Sequence, residues 1–151
     1  MAKMTCTLRH AFQESILVSH VRDQLGALDR KHRAVIDQSI KQRVADSMNL
    51  DDATRPDRPQ EHRWDYLISS PRNQLLFGLE IHHASDKEIS VIISKKQKSL
   101  EYLRDHIMHG MSIGKWYWVS SASVGFTNTE RARRRLDQCG IRFAGRRLKT
   151  L

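Results

Sequence analysis

The stretch Trp64-Asp65-Tyr66-Leu67-Ile68-Ser69-Ser70-Pro71-Arg72-Asn73-Gln74-Leu75-Leu76-Phe77-Gly78-Leu79-Glu80-Ile81-His82-His83 reads as two apolar strands joined by a polar turn. Residues 64–68 and 75–83 suit strands, and Ser-Pro-Arg-Asn supplies the loop chemistry between them. On the second strand successive side chains point to opposite faces, so Glu80 and His82 share one face while Leu79 and Ile81 share the other. Asp65 and Glu80 then stand at the ends of neighbouring strands. Two carboxylates so placed can form an open site for a hard, oxygen-preferring cation such as Mg²⁺.

Working outward, residues 12–48 carry Ile16, Leu17, Val21, Leu25 and Leu28, then Val35, Ile36, Ile40 and Val44, at spacings that predict helices broken near Gly26. Residues 49–62 contain two prolines and many charges and read as a polar loop, with no convincing strand ahead of Asp65. After His83, Ser85 or Asp86 can cap a helix with Ile89, Ile92, Ile93, Leu100, Leu103 and Ile107 on one face. An aromatic-rich strand follows at residues 114–120, and a helix capped by Thr127, Asn128 or Thr129 leads to Gly140. Ile141-Arg142-Phe143-Ala144 is a last strand. The expected fold is a single α/β domain over residues 1–151: N-terminal helices 12–48, polar loop 49–62, and an α/β core 63–148. Its mixed central sheet is flanked by helices, antiparallel at the hairpin and parallel where helices cross over.

The Asp, the gap and the Glu-Ile-His triplet resemble the motif of the PD-(D/E)XK nuclease superfamily, an Asp followed on an adjacent strand by Glu-x-Lys, then a helix and another strand. The resemblance covers residues 64–143 in order of elements and implies a restriction-endonuclease-like core. By it, Asp65, Glu80 and the carbonyl of Ile81 would ligate Mg²⁺ or Mn²⁺, and the catalytic set would be Asp65, Glu80 and His82. His82 stands where the family has Lys. A neutral imidazole can accept a proton or ligate a metal, whereas an ammonium supplies charge, so the replacement alters what that position can do. Lys87, Lys95 and Lys96 lie on the following helix, and any of them could replace the motif lysine from another backbone position. The implied activity is metal-dependent cleavage of nucleic-acid phosphodiesters. The alternative is a catalytically decayed relative that binds nucleic acid or an acidic protein partner.

Composition fits such a module: 151 residues, 39% hydrophobic, net charge +9. Between residues 129 and 151, Arg131, Arg133, Arg134, Arg135, Arg142, Arg146, Arg147 and Lys149 face only Glu130 and Asp137, a local excess of +6. Such asymmetry attracts phosphate backbones, and Arg131, Arg133, Arg134, Arg135, Arg146 and Arg147 are the candidate nucleic-acid contacts. The same arginines also fit a solvated basic face. No apolar run is long enough to span a membrane, and the N-terminus lacks a signal-peptide core, which predicts a cytoplasmic protein with no membrane partner. Cys6 and Cys139 read as reduced thiols. A homodimer stays open as an arrangement in which a second subunit supplies residues. Two plainer readings stand beside the metal site: Asp65 paired to Arg63 or Arg72, and Glu80 with His82 facing water. A rival zinc reading joins His82 and His83 to His106 and His109.

Overall fold

The computed structural model describes residues 5–151. In chain order its helices and strands are α1 (Leu8–Ala11), β1 (Val21–Asp23), α2 (Arg30–Arg33), α3 (Gln38–Lys41), β2 (Asp46–Asn49), α4 (Leu50–Thr54), β3 (Tyr66–Ser70), β4 (Leu75–Ile81), α5 (Ile89–Leu103), β5 (Lys115–Val119), α6 (Thr129–Gln138) and β6 (Ile141–Phe143). The strands form one sheet in sequence order, β1 to β6. Pairing is antiparallel from β1 through β4 and parallel from β4 through β6. Parallel neighbours need a crossover, and α5 and α6 supply the two. The β3–β4 hairpin closes through a 3-10 turn at Pro71–Asn73, with Gln74 left-handed at φ 49°. The structure is thus α/β, a mixed central sheet flanked by helices, as the sequence predicts.

Alternation along the strands makes two cores. Leu67, Leu76, Trp116 and Trp118 pack on one face against Ile89, Ile92 and Leu103 of α5 and Ala132 and Leu136 of α6. Tyr66, Ile68, Phe77, Leu79 and Ile81 pack on the other against Leu25, Leu28, Ile36, Ile40 and Leu148. Leu79 and Ile81 therefore share a face, and Glu80 points the opposite way, toward α5.

Two expectations are corrected. Residues 12–48 do not form long helices; they hold a 3-10 turn at Ile16–His20, strand β1, the four-residue helices α2 and α3, and the start of β2. Their apolar spacing reflects burial rather than helix: Leu17 and Val21 join one core, whereas Leu25, Leu28, Ile36, Ile40 and Val44 join the other. The chain wraps around the β1 edge of the sheet. Ser15 and Asp37 accept backbone hydrogen bonds that begin short elements, an alternative these side chains offer to a continuing helix. The second correction concerns residues 46–54. A strand does precede Asp65, and α4 occupies the start of the expected polar loop. Polar residues hide β2 from sequence: Asp46 is buried and accepts from the Leu8 and Arg9 amides at 2.9 and 3.1 Å and from Ser69 Oγ at 2.5 Å. A tertiary anchor thus stands where an apolar residue would announce a strand.

Gly78 is packed too closely to accept a side chain. A Cβ there would lie 2.5 Å from the Trp116 ring and 2.9 Å from Trp64 Nε1. The two indoles meet edge to face, with centroids 5.0 Å apart. Gly78→Ala is expected to lower the unfolding free energy by about 1–3 kcal/mol, because neither ring can retreat from a packed core. Urea unfolding that matches the wild type would contradict this packing.

Candidate active site

Asp65 sits one residue before β3, opposite Glu80 near the end of β4. The β3–β4 register pairs Tyr66 with Leu79, which brings these two acids alongside each other. They are tied reciprocally. The Asp65 amide donates to Glu80 Oε1 at 3.0 Å, and the Ile81 amide donates to Asp65 Oδ2 at 2.9 Å. Neighbouring elements fix the Asp65 backbone: the Leu50 amide at the start of α4 donates to its carbonyl at 2.8 Å, and the Trp64 amide donates to Ser99 Oγ on α5 at 3.0 Å.

The third member comes from α5. Lys95 Nζ donates to Glu80 Oε2 at 2.5 Å. Ile92, Lys95, Ser99 and Tyr102 recur at helical spacing, so Lys95 lies in the stripe that faces the sheet. Glu80 is 0% exposed, and the Lys95 side chain 17%. Among the described residues, Asp65, Glu80 and Lys95 thus form one cluster at the mouth of the sheet.

Its electrostatics follow from that burial. Loss of water, and then the neighbouring Asp65 charge, push the Glu80 carboxyl up to about 8, while Lys95 and the Asp65 amide pull the other way. Burial also raises the Asp65 carboxyl, opposed by the Ile81 amide and by Lys95. Burial works against the Lys95 charge, but the Glu80 carboxylate outweighs it and the ammonium is held above its ordinary range. Two carboxylates raised by desolvation thus stand beside one lysine, which already supplies a positive charge to Glu80.

The donor set suits a hard divalent cation. Asp65 offers Oδ1, which among the described residues has no protein donor, and Ile81 a backbone carbonyl, whereas both Glu80 oxygens already accept, from the Asp65 amide and from Lys95, so Glu80 would ligate an ion only on releasing one of them. Arg63 pairs with Asp51 at 2.7 Å rather than with Asp65, and Arg72 lies in the turn at the far end of the hairpin.

His82 lies outside this cluster. It follows the end of β4, and its Nε2 lies 2.8 Å from Glu88 Oε2, with no hydrogen bond to Asp65 or Glu80. His83 Nε2 lies 3.6 Å from the other Glu88 oxygen. His106 instead bonds Ser15 at 2.7 Å and stacks on Tyr102. The rival zinc grouping of His82 and His83 with His106 and His109 therefore does not form: His106 is held by Ser15 and Tyr102. Lys87 is exposed, and Lys96 donates to the Cys139 carbonyl at 2.6 Å. Of the three candidate lysines, Lys95 alone touches the acids.

The arginines divide. Arg131, Arg133, Arg134 and Arg135 lie exposed on α6, whose Ala132 and Leu136 pack on the α5 side of the sheet. Arg147 follows β6 and reaches Asp37 at 3.4 Å, beside the core on the opposite face. Charge contiguous in sequence is thus spread over two sides of the domain. Arg133 lies over the Phe143 ring at 5.7 Å, and with Lys115 and Arg142 it lines a cleft of about 650 Å³. Lys115 pairs with Phe77, three positions before Glu80 along β4, so the cleft and the acid pair lie toward different ends of the sheet.

Among the described residues no helix is long and apolar enough to cross a membrane. No family model, curated protein or solved structure matches the chain.

Proposed function

We propose that the protein is a metal-dependent phosphodiesterase acting on nucleic acid, built on a PD-(D/E)XK-like core in which Lys95 of α5 takes the place of the lysine that His82 replaces. The observation that carries this reading is the contact of Lys95 Nζ with Glu80 Oε2 at 2.5 Å, on a carboxylate tied reciprocally to Asp65. Acid, acid and lysine converge although the lysine comes from a different element. Further support comes from element order: β2, Asp65 immediately before β3, β4 with Glu80, then α5 and the parallel strand β5. Strand β2 precedes Asp65 and pairs antiparallel with β3.

Asp65, Glu80 and the Ile81 carbonyl would hold Mg²⁺ or Mn²⁺, which polarises the scissile phosphate and lowers the pKa of the attacking water. Lys95 then stands within reach of the same site, where its ammonium orients that water and offsets charge developing on the phosphate. Glu80 holds the ammonium in place, and its full burial keeps bulk water from competing for that contact.

Arginines on α6 would supply the phosphate contacts that position the substrate without reading its sequence. Replacing Arg133, Arg134 and Arg135 together by Ala is expected to flatten the salt dependence of duplex affinity by about one unit of log K per log salt for each phosphate no longer neutralised. Fluorescence anisotropy across a salt series measures it. An unchanged slope would assign these side chains to solvent.

A second reading, a binding protein without catalysis, is favoured by one feature: Glu80 is fully buried and both its oxygens already have donors. Incubation with single- and double-stranded DNA and RNA in Mg²⁺ or Mn²⁺, beside Asp65→Asn, separates the two. Cleavage lost in Asp65→Asn supports the enzyme; binding without cleavage on every substrate supports the other.

A further inference from the structure

The geometry points to a second metal site, of transition-metal rather than magnesium character, formed by His82, His83 and Glu88. It stands apart from the acid pair and does not depend on the protein being a nuclease. One ligand atom from each of the three side chains lies within 4.8 Å of the other two. His82 Nε2 is 2.8 Å from one Glu88 oxygen and His83 Nε2 is 3.6 Å from the other. Bonds of about 2.0–2.1 Å at tetrahedral angles place neighbouring donor atoms about 3.3 Å apart, between those two distances. Those two separations are to different Glu88 oxygens, but with one donor atom of each side chain within 4.8 Å of the others, rotation of the rings and the carboxylate can bring all three onto one ion.

The backbone holds the donors ready. The His82 amide donates to the Val119 carbonyl at 3.1 Å, and the His82 carbonyl accepts from Trp118 Nε1 at 2.9 Å and from the Ser121 amide at 3.3 Å. Just beyond His83, the Ala84 amide donates to Ser120 Oγ at 3.2 Å and its carbonyl accepts from the Gly125 amide at 2.7 Å. Consecutive side chains on an extended strand would diverge, yet here, past the end of β4, the two imidazoles stack at 5.0 Å and 25° and both turn to Glu88. Glu88 closes a 3-10 turn whose Asp86 carboxylate accepts from the Thr127 amide and hydroxyl. Both ends of the seven-residue segment are thus anchored to neighbouring chain.

Two imidazoles and one carboxylate favour Zn²⁺ and its neighbours over Mg²⁺, which prefers oxygen donors. Three protein ligands leave a fourth position for water or a ligand oxygen. The ion would join the end of β4, which carries Glu80, to the start of α5, which carries Lys95.

The test uses the full chain without a histidine tag, titrated with Co²⁺ and Zn²⁺ in excess Mg²⁺. We expect one Co²⁺ per chain with visible ligand-field bands of a four- or five-coordinate site, displaced by Zn²⁺. Free Zn²⁺ at about 100 times its dissociation constant should raise the folding equilibrium constant about 100-fold, read as a higher melting temperature. His83→Ala and Glu88→Gln should each weaken Co²⁺ binding at least about tenfold, as loss of a ligand requires. The His83 side chain is half exposed and Gln preserves the Glu88 volume, so the fold is expected to tolerate each change, and melting curves check it. Glu80→Gln should leave the Co²⁺ spectrum intact. Full-strength binding in His83→Ala and Glu88→Gln, loss of the spectrum in Glu80→Gln, or absence of binding to the wild type would each overturn the assignment.

Discussion

At about pH 9, Lys95→Met is expected to unfold with about 3–5 kcal/mol less free energy than the wild type, whereas Glu80→Gln/Lys95→Met is expected to match or exceed it. The contrast rests on a buried pair whose partners tolerate each other better than either tolerates isolation. Glu80 is 0% exposed, and Lys95 is the cation that touches it. Removing the ammonium alone leaves a carboxylate with neither water nor counter-charge. Removing both charges leaves Gln beside Met, and replacing a buried ion pair by neutral side chains of similar volume is often neutral or stabilising.

The pH dependence follows from the position of the Glu80 carboxyl, raised from the ordinary 4.5 to about 8. Between these values the folded chain keeps a proton that the unfolded chain has released, so this group's contribution to stability falls as pH rises. Below the ordinary value both states are protonated and the effect vanishes. Above about 8 it levels off in the wild type. Without Lys95 the folded-state carboxyl titrates higher still, so stability of Lys95→Met keeps falling where the wild type has flattened. Urea unfolding at about pH 5, 7 and 9 should therefore show the deficit of Lys95→Met growing with pH, while the double variant shows no such trend. A deficit independent of pH would mean that lost packing by the Lys95 stem, not charge, sets the cost.

Lys95 also shows what could be read from sequence and what could not. The hairpin, the crossover helices and the alternation that puts Glu80 opposite Leu79 and Ile81 follow from local patterns with one apolar face. Asp65 and Glu80 were legible because each adjoins an apolar strand. Lys95 was one of three lysines on a helix whose register had to be known to within a residue. Leu100, assigned to the buried face by apolar spacing, is 40% exposed, and Ser99 is buried. Placing Ser99 on the sheet side rotates Lys95 inward. A lysine in a buried stripe is the signal, and it is visible only once that rotation is fixed. β2 was hidden for a related reason: its Asp46 is buried to satisfy amides 37 and 38 residues away, a partnership that no local window contains. His82 presents the opposite case. Its triplet position suggested chemistry with Glu80, but the strand ends at Ile81 and a carboxylate six residues on takes the ring.

If the protein is the proposed phosphodiesterase, the larger functional effect belongs to the acid pair. Glu80→Gln is expected to lower the rate of Mn²⁺-supported cleavage by at least about 10²–10³-fold, the scale set by removing one preorganised charge partner from a transition state. Gln keeps an oxygen for the Asp65 amide but replaces the oxygen that faces Lys95 with an amide donor, so on the proposed reading Glu80→Gln would lose both a metal ligand and the anchor of the ammonium. Lys95→Met keeps the two carboxylates, so its defect should appear mainly in the rate of the chemical step under saturating Mn²⁺, with substrate affinity little changed. Lys95→Arg tests position against charge: the guanidinium is longer and planar, and recovery of less than about a tenth of the wild-type rate would mean that the compact ammonium matters, not charge alone. Asp65→Asn should weaken Mn²⁺ binding itself, because it neutralises the more accessible carboxylate while keeping an oxygen for the Ile81 amide. Single-turnover cleavage across a Mn²⁺ series separates the three. Equal loss in affinity and rate for Lys95→Met would place Lys95 in substrate binding, and wild-type cleavage by Glu80→Gln would remove the acid pair from the chemistry.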